Sequence, residues 1–209
     1  ATEPALPTGR ASLLAEDSTG AIWASVGSAG IARVTGKTSK LFSTADGLPT
    51  GIITIVRATA NGEVWVGTAN GLAVFRDGKF NSKPTGSWID TTGIADVLRD
   101  SKGRLWVATS GEGLAIVEGD TIRRIRRAQG LGSDSLTRMI EDRSGSIWVG
   151  SLEGVQRIER DKPEHIERFT AADGLSNNNI RAILEDSENG VWVKRGVRVG
   201  RGVGVPIVQ

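Results

Sequence analysis

Few residues in this chain have the types and spacing that acid–base or metal chemistry requires. His165 is the only histidine, and the absence of cysteine excludes disulfides, thiolate metal ligands and a cysteine nucleophile. Aspartates recur, but each opens a turn such as DSTG, DSKG or DRSG, where Asp accepts hydrogen bonds from its own backbone and Gly adopts positive φ. They are Asp17, Asp100, Asp142 and Asp186, with Thr59 at the corresponding place in the second copy. We therefore predict turn formation for the aspartates, a solvated His165 on an outer strand, and no catalytic residue, metal site or cofactor.

Two stretches raise the question of a phosphate or other acidic ligand. TGKT (35–38) lacks the glycine that a phosphate-binding loop needs five residues before Gly36, because position 31 is Ile. Arginines are dense in RRIRR (123–127), and a second basic group comprises Lys194, Arg195, Arg198 and Arg201. Basic outer strands resist edge-to-edge pairing, which is the prediction here, with an acidic ligand as the alternative. Nucleic acid is not predicted, because the formal net charge is only +2 and no aromatic residues interleave with the arginines.

A regular repeat sets the fold in which these residues lie. Tryptophans recur at Trp23, Trp65, Trp106, Trp148 and Trp192, so the gaps are 42, 41, 42 and 44 residues. Each copy contains four extended segments separated by turn residues, as in RASLLAED, AIWASV, IARVTG and TSKLFST. Four short strands in about 42 residues are typical of a β-propeller blade. The sequence therefore predicts an all-β propeller of four-stranded antiparallel blades with about five repeat units.

The tryptophan and the residue two positions after it are predicted to pack between blades. The small residues are Ser25, Gly67, Ala108 and Gly150, which would let the adjacent sheet approach the aromatic ring. After a tail at 1–5, the predicted units are 6–47, 48–87, 88–130, 131–174 and 175–209. Trp88 is interpreted as standing in the place that Leu48, Leu131 and Leu175 occupy in other units. The last unit departs from the pattern, with Lys194 in the small-residue position and Gly196 arriving early. Five units closing a ring and part of a larger ring both fit, and the atypical ending favours the latter.

The sequences of these repeats resemble those of a known family. EDSTGAIWASVGSAGIARV, GEVWVGTANGLAVF, RDSKGRLWVATSGEGLAIV and EDRSGSIWVGSLEGVQRI, with ADGL connections, are similar to the two-component regulator propeller repeat. That resemblance implies seven-bladed propellers in the periplasmic sensor part of bacterial membrane signalling proteins. It also implies a ligand, frequently an oligosaccharide, and a signal passed to another module. The expected function is thus a non-catalytic, ligand-sensing propeller domain in the periplasm.

Two other classes of function remain open at this stage. A structural or protein-binding propeller would bind a partner, or itself, through unpaired blade edges. Streptogramin-inactivating lyases share a similar propeller repeat, and that resemblance implies a histidine and acidic residues around magnesium, a pattern that His165 does not match. The sequence has no run of about 18 apolar residues, so any membrane attachment is expected only through other segments of a parent protein.

One end of the predicted blades is the candidate ligand face. The turns after the second strands and the connections into the first strands emerge together in a propeller, and many of them carry amides and carboxylates. The candidate residues are Asn70, Trp88, Glu112, Asp134, Ser135, Glu153, Asn177, Asn178 and Asn179. Amides and carboxylates suit sugar hydroxyls, which both donate and accept hydrogen bonds, and Trp88 would offer a stacking face. The predicted partner is an oligosaccharide or another small ligand.

Overall fold

The computed structural model describes residues 11–59, 61–82, 88–195 and 205–207, in two compact units that comprise residues 1–97 and 98–209. Antiparallel β-sheets joined by short 3₁₀ turns make up both units over this part of the chain. No helix in the described ranges has the length and apolar character needed to span a membrane. The predicted tail at 1–5 and the early Gly196 lie outside the described residues, as do Arg198 and Arg201.

The first unit contains two complete four-stranded sheets. In each sheet the spatial order of the strands follows the chain, so every neighbour is joined by a tight turn. The first sheet contains β1 (Ala11–Glu16), β2 (Ile22–Val26), β3 (Gly30–Thr35) and β4 (Thr38–Phe42). The second sheet contains β5 (Ile53–Ala58), β6 (Val64–Thr68), β7 (Gly71–Arg76) and β8 (Lys79–Ser82). The predicted four-stranded blades are confirmed here.

The second unit continues the same pattern through three more sheets. The third sheet contains β9 (Ile94–Arg99), within which the two units divide, β10 (Leu105–Thr109), β11 (Leu114–Glu118) and β12 (Thr121–Ile125). The fourth contains β13 (Leu136–Glu141), β14 (Ile147–Ser151), β15 (Gly154–Ile158) and β16 (Ile166–Phe169). The fifth contains β17 (Ile180–Glu185), β18 (Val191–Arg195) and β19 (Val205–Ile207). Its three described strands also follow chain order.

The tryptophan strands form the core of each unit because their two faces are both covered. Every residue of β6, β10 and β14 is buried, and their β-branched and aromatic side chains suit a pleated surface packed on both sides. In the first unit, Trp23 packs in a cluster with Val64 and Val66 of the second sheet. In the second unit, Trp148 packs with Ile180 and Val193 of the fifth sheet. The predicted core role is confirmed for Trp23, Trp65, Trp106 and Trp148, whereas Trp192 is half-buried.

Each recurring aspartate binds both its turn and the tryptophan of its own sheet. The Asp17 carboxylate accepts the backbone N–H groups of Thr19 and Ala21, and its other oxygen accepts the Trp23 indole N–H at 2.8 Å. The same indole bond joins Trp106 to Asp100 at 2.9 Å and Trp148 to Asp142 at 2.7 Å, and it joins Trp192 to Asp186. Turn formation was predicted, whereas the indole bond was not.

Burial of these carboxyl groups and the hydrogen bonds they accept act in opposite directions on their acidity. Burial by itself would raise the pKa of Asp17, but bonds from Thr19, the Trp23 indole and two backbone N–H groups hold that pKa well below its usual range. Asp100 and Asp142 show the same balance, and the pKa of each is lowered. The charged aspartate is therefore part of the folded sheet.

The second sheet forms this structure with different residues. Thr59 replaces the aspartate, and its hydroxyl donates to the backbone carbonyl of Glu63 at 3.1 Å. The Glu63 carboxylate accepts the Trp65 indole N–H at 3.1 Å and pairs with Arg76. A longer side chain from a nearer position thus supplies the acceptor that a buried indole requires.

The small residue after each tryptophan has the predicted role at the two glycines of the series. A Cβ on Gly67 would lie 2.6 Å from a methyl carbon of Ile55 and 2.7 Å from Ile94. A Cβ on Gly150 would lie 2.9 Å from Ile180. Because Ile94 and Ile180 belong to the first strand of the following sheet, a side chain at either glycine would push neighbouring sheets apart.

The interpretation of Trp88 as the counterpart of the connection leucines is wrong. Leu48, Leu131 and Leu175 are buried, and each stands five residues before a first strand. Ile89 has that spacing before β9 and is buried, whereas Trp88 is half-exposed in the 3₁₀ turn Trp88–Thr91. The apolar residue that faces the core therefore lies one position later than the sequence interpretation placed it.

Candidate functional site

Glycines at the start of the third strands bring the two predicted classes of loop together. Gly113 and Gly154 have φ of 83° and 120°, a region that favours glycine. Their N–H groups donate to the carbonyls of Asp134 at 2.9 Å and Asn178 at 2.7 Å. Each bond ties the turn after a second strand to the connection that enters the following sheet. In the second unit, these loops therefore meet at one end of the sheets.

The predicted acidic residues of this end are paired with arginines. Glu112 forms ion pairs with Arg124, and with Arg126 at 3.9 Å. Asp134 accepts the backbone N–H of Arg127 at 2.9 Å and the Arg126 side chain at 3.3 Å. These carboxylates are neutralised within the protein, which reduces their capacity to accept hydrogen bonds from a ligand.

Glu153 extends the chain of ion pairs into the next turn. Its carboxylate lies 2.7 Å from the Arg127 guanidinium, and its backbone N–H is held by Ser151. The arginines come from the RRIRR stretch, for which outer-strand protection was predicted. Arg123, the remaining arginine of this stretch, instead pairs with Glu164, which lies between β15 and β16 of the fourth sheet. In the sequence, RRIRR is followed directly by the connection that leads to β13. That position could have indicated that Arg126 and Arg127 lie near the loops of Asp134 and Glu153.

The three consecutive asparagines have their carbonyl oxygens occupied and their amide nitrogens available. Asn177 accepts the N–H of Asn179 at 2.7 Å, and Asn178 accepts the N–H of Ala171 at 2.6 Å. Asn179 accepts the Arg181 side chain at 3.1 Å. Each bonded atom must be the oxygen because its partner is a donor. Over the described part of the chain, the three side-chain NH₂ groups have no acceptor, and they lie at least partly in solvent. We name this the Asn177–Asn179 donor group.

The predicted residues of the first unit occupy the corresponding loops of that unit. Asn70 lies in the turn between β6 and β7, and its amide donates to Thr50 at 3.2 Å. Gly71 follows it with φ of 141°, and a Cβ there would lie 2.7 Å from the carbonyl of Asp90, in the connection that carries Trp88. In the first unit, too, the turn after a second strand meets the connection into the following sheet. Asn70 lies in that turn and Trp88 in that connection.

A cavity of about 720 Å³ lies near Trp148, in the second unit, at the turns between first and second strands. Its lining residues are Asp142, Arg143, Ser144, Trp148, Arg157, Glu167, Phe169, Glu185, Asn189 and Val191. Cavities of this size hold small ligands in many proteins. None of these residues was a predicted ligand-binding residue, and the turns concerned lie at the other end of the strands from the Asn177–Asn179 donor group.

His165 lies directly before β16 and is bonded to Glu159 at 3.0 Å. Its side chain is 61% exposed. In the ranges that the structure describes, no three His, Cys, Asp or Glu side chains cluster closely enough to hold a metal ion.

Comparison with known sequences identifies the repeat. A profile of the two component regulator propeller matches residues 89–111 and 174–193. Two segments of this chain are therefore similar to the two-component regulator propeller repeat. Both matched segments contain a tryptophan strand and the turn before it, which is the region in which aspartate binds the indole. Among curated protein sequences, none is significantly similar to this chain.

Solved structures confirm the β-propeller fold. The extracellular domain of the putative hybrid two component system BT3049 from B. thetaiotaomicron superposes with a TM-score of 0.75 at 16% identity, covering 91% of this chain and 28% of that one. Virginiamycin B lyase from Staphylococcus aureus superposes with a TM-score of 0.70 at 16% identity, covering 90% of this chain and 64% of that one. PorZ from Porphyromonas gingivalis superposes with a TM-score of 0.65 at 18% identity, covering 88% of this chain and 30% of that one. The chain thus spans less than a third of the signalling domain, and the similarity at these identities is one of fold.

Proposed function

We propose that this chain is part of a non-catalytic, ligand-sensing propeller domain of a bacterial signalling receptor, located in the periplasm or outside the cell. The two-component regulator propeller repeats and the similarity to an extracellular domain of a two component system support this assignment. The observation that carries it is the Asn177–Asn179 donor group. A run of at least partly exposed N–H donors, anchored through their oxygens, is preorganised for a ligand rich in acceptor oxygens.

The proposed ligand is an oligosaccharide that lies across the loops of the second unit. Its hydroxyl and ring oxygens would accept from the three asparagine NH₂ groups. The paired acids Glu112, Asp134 and Glu153 and their arginines would form the neighbouring polar surface. In this proposal the ion pairs hold the loops in place, so that ordering costs little when the ligand binds.

The substitution Asn178→Asp tests the donor directly. The aspartate keeps the oxygen that accepts the Ala171 N–H and removes the NH₂ group, so the loop should keep its structure while binding weakens. Asn177→Asp and Asn179→Asp extend the test to the neighbouring positions. Asn189→Asp is the matched control, because Asn189 accepts from Arg143 at 3.0 Å on the wall of the cavity near Trp148.

Binding would be measured by thermal shift and calorimetry against a panel of plant and microbial oligosaccharides. A ligand at about 100 times its dissociation constant stabilises a folded protein by roughly 2.7 kcal/mol, which raises the melting temperature by a few degrees. We expect a selective shift that Asn178→Asp reduces and Asn189→Asp preserves. A shift lost only in Asn189→Asp would assign the ligand to the cavity, and no shift from any sugar would contradict the proposal. Turnover of a streptogramin lactone with magnesium would contradict its non-catalytic part.

A further inference from the structure

Two consecutive sheets of the second unit carry an arginine at the same position of their outermost strand. Arg124 of β12 lies opposite Ala115 of β11, and Arg168 of β16 lies opposite Gln156 of β15. Ala115 and Gln156 each stand two residues after the glycine that closes the turn between the second and third strands. The two arginines are therefore equivalent in the repeat.

These equivalent arginines differ in their partners. Arg124 pairs with Glu112 in the turn of its own sheet, and its Nε donates to the Glu112 carbonyl at 3.0 Å. Glu153 is the equivalent glutamate of the fourth sheet, but its carboxylate is bound by Arg127 at 2.7 Å. Over the described part of the chain, Arg168 has no hydrogen bond and no ion pair. Arg127 thus binds the carboxylate that, by the repeat, would pair with Arg168.

The Arg168 side chain packs on the connection that enters the fourth sheet. A Cβ at Gly132 would lie 3.1 Å from Nε and 3.2 Å from Nη2 of Arg168, and 2.7 Å from the amide nitrogen of Gln156. The guanidinium therefore lies directly over backbone that carries no side chain. Arg168 nevertheless remains an exposed residue, so its charge is accessible to a ligand.

Arg168 also lies close to the Asn177–Asn179 donor group. Asn178 accepts the N–H of Ala171 at 2.6 Å. Ala171 follows Arg168 by three residues, which an extended chain spans in about 11 Å at most. A single short ligand can therefore contact both.

The carboxylates of the loops around these donors are bonded within the protein. Glu153 and Asp134 are paired with arginines. Asp173, in the connection that follows β16, accepts the backbone N–H and the hydroxyl of Thr170, both at 2.9 Å. Within the described ranges, Arg168 is thus a cation without a counter-ion, beside amide donors without acceptors. Such a surface favours an anionic ligand, because hydrogen bonds between ionised groups are stronger than those between neutral ones.

We propose that the ligand of this domain is an acidic oligosaccharide whose carboxylate or sulfate group pairs with Arg168. This inference rests on the proposed ligand-sensing function and narrows it to one class of sugar. A guanidinium presents parallel N–H donors that match the paired oxygens of an acidic group. The ligand's acidic group takes the place that Glu112 takes for Arg124 in the third sheet, while its other oxygens accept from the Asn177–Asn179 donor group.

Calorimetry with matched pairs of sugars tests the charge. Trigalacturonic acid is compared with its methyl ester, and a κ-carrageenan oligosaccharide with its desulfated form, so that each pair differs only in the acidic group. We expect one acidic sugar to bind about tenfold more tightly than its neutral form, and Arg168→Gln to remove that advantage while leaving the neutral form unchanged. The pair that shows the difference identifies the group as carboxylate or sulfate.

Arg123→Gln is the matched control for this substitution. Arg123 is also an exposed arginine of an outermost strand in the second unit, but it is already paired with Glu164 at 3.2 Å. Affinity for the acidic sugar should therefore be unchanged in Arg123→Gln. Circular dichroism would establish that both variants remain folded.

Arg127→Gln provides a second test that leaves Arg168 itself unaltered. The substitution releases Glu153, which should then pair with Arg168 as Glu112 pairs with Arg124, so the acidic sugar should bind several-fold more weakly. Adding Glu153→Gln should restore the affinity, because Arg168 again has no carboxylate in the protein. No recovery would show that Arg127 binds the acidic group, and the inference would be wrong.

The outcomes separate this inference from the proposed function. If only neutral sugars bind, or if Arg168→Gln weakens neutral and acidic forms equally, the inference is wrong and the ligand-sensing function stands. If Arg123→Gln weakens the acidic sugar as much as Arg168→Gln does, the attraction is a general one to a basic surface, which also overturns the inference. If no sugar of either kind binds, the proposed function fails and this inference fails with it.

Discussion

Trp23 in the first unit and Trp148 in the second begin from the same local structure and end in different surroundings. Each indole donates to the aspartate six residues earlier, at 2.8 Å and 2.7 Å. Trp23 is surrounded by Phe42 at 5.6 Å between ring centroids, Phe75 at 4.7 Å and Phe80 at 5.8 Å. Trp148 stacks on Phe169 at 5.7 Å and borders the cavity of about 720 Å³.

The comparison distinguishes the tryptophan contacts that come from its own sheet from those that come from the following sheet. Phe42 and Phe169 lie at the same position on the last strand of the tryptophan's own sheet, whereas Phe75 and Phe80 belong to the outer strands of the following sheet. In these two repeats, the aspartate and the stacking phenylalanine thus come from the tryptophan's own sheet. Close packing around the indole is decided by the next repeat along the chain.

Replacing the two tryptophans should produce the largest effects and the clearest asymmetry. Trp23→Ala removes a fully buried side chain from a cluster of aromatic rings and should cost about 3–5 kcal/mol of unfolding free energy. Trp148→Ala should cost less, because its surroundings already include a cavity. Urea unfolding followed by circular dichroism measures both, and equal losses would contradict the comparison.

Removing the aspartates should rank next. Asp17→Ala leaves the Trp23 indole and the turn N–H groups without their acceptor. A buried unsatisfied donor lowers the free energy of unfolding by about 1–3 kcal/mol. Asp142→Ala should cost less, because Trp148 is somewhat more exposed than Trp23. Hydrogen exchange of the two turns gives a local measurement for each variant. Faster exchange confined to the altered turn is expected, and a larger effect at Asp142 would count against the ranking.

Adding a methyl group between sheets should have an effect of the same order as removing an aspartate. Gly67→Ala places a Cβ within 2.7 Å of two isoleucines and should cost about 1–3 kcal/mol through overpacking. Gly150→Ala meets its nearest atoms at 2.9 Å and should cost less. Thermal melting of the two variants compares them. Neither glycine has a positive φ, so the loss reports the packing between the sheets and not backbone strain.

The acid dependence of stability should reveal the charged state of Asp17. Its pKa is lowered in the folded protein, so its contribution is fully present above the unfolded value of about 3.9 and is lost as the pH falls toward the folded value. Asp17→Asn should therefore be less stable than the natural sequence at pH 7, and the difference should shrink below about pH 4. A difference that is constant from pH 7 to pH 3 would show that the charge does not contribute.

Much of the fold and part of the candidate site could be predicted from local sequence. The recurrence of tryptophan indicated the sheets, and turn-forming Asp and Gly indicated the hairpins, because these signals act over a few residues. The bond from aspartate to indole was missed, since it depends on the side chains across a hairpin rather than on the turn itself. Trp88 was misplaced because one residue in a connection decides which side chain faces the core. The loops of the candidate site were identified, but the pairing of Glu112 and Asp134 with arginines required the structure.

By itself, the sequence determined that the chain is built of repeats, each with short antiparallel strands joined by turns that contain aspartate or glycine. Those features follow from contacts within about six residues, which a repeated pattern displays directly. Only the tertiary structure decided which polar groups near the connections are already paired and which, such as the amide of Asn178, remain available. It also decided that the first sheet leaves Leu14 and Ile22 in solvent while the second sheet buries their counterparts. Burial and pairing depend on which sheet lies next, and no local sequence pattern records that neighbour.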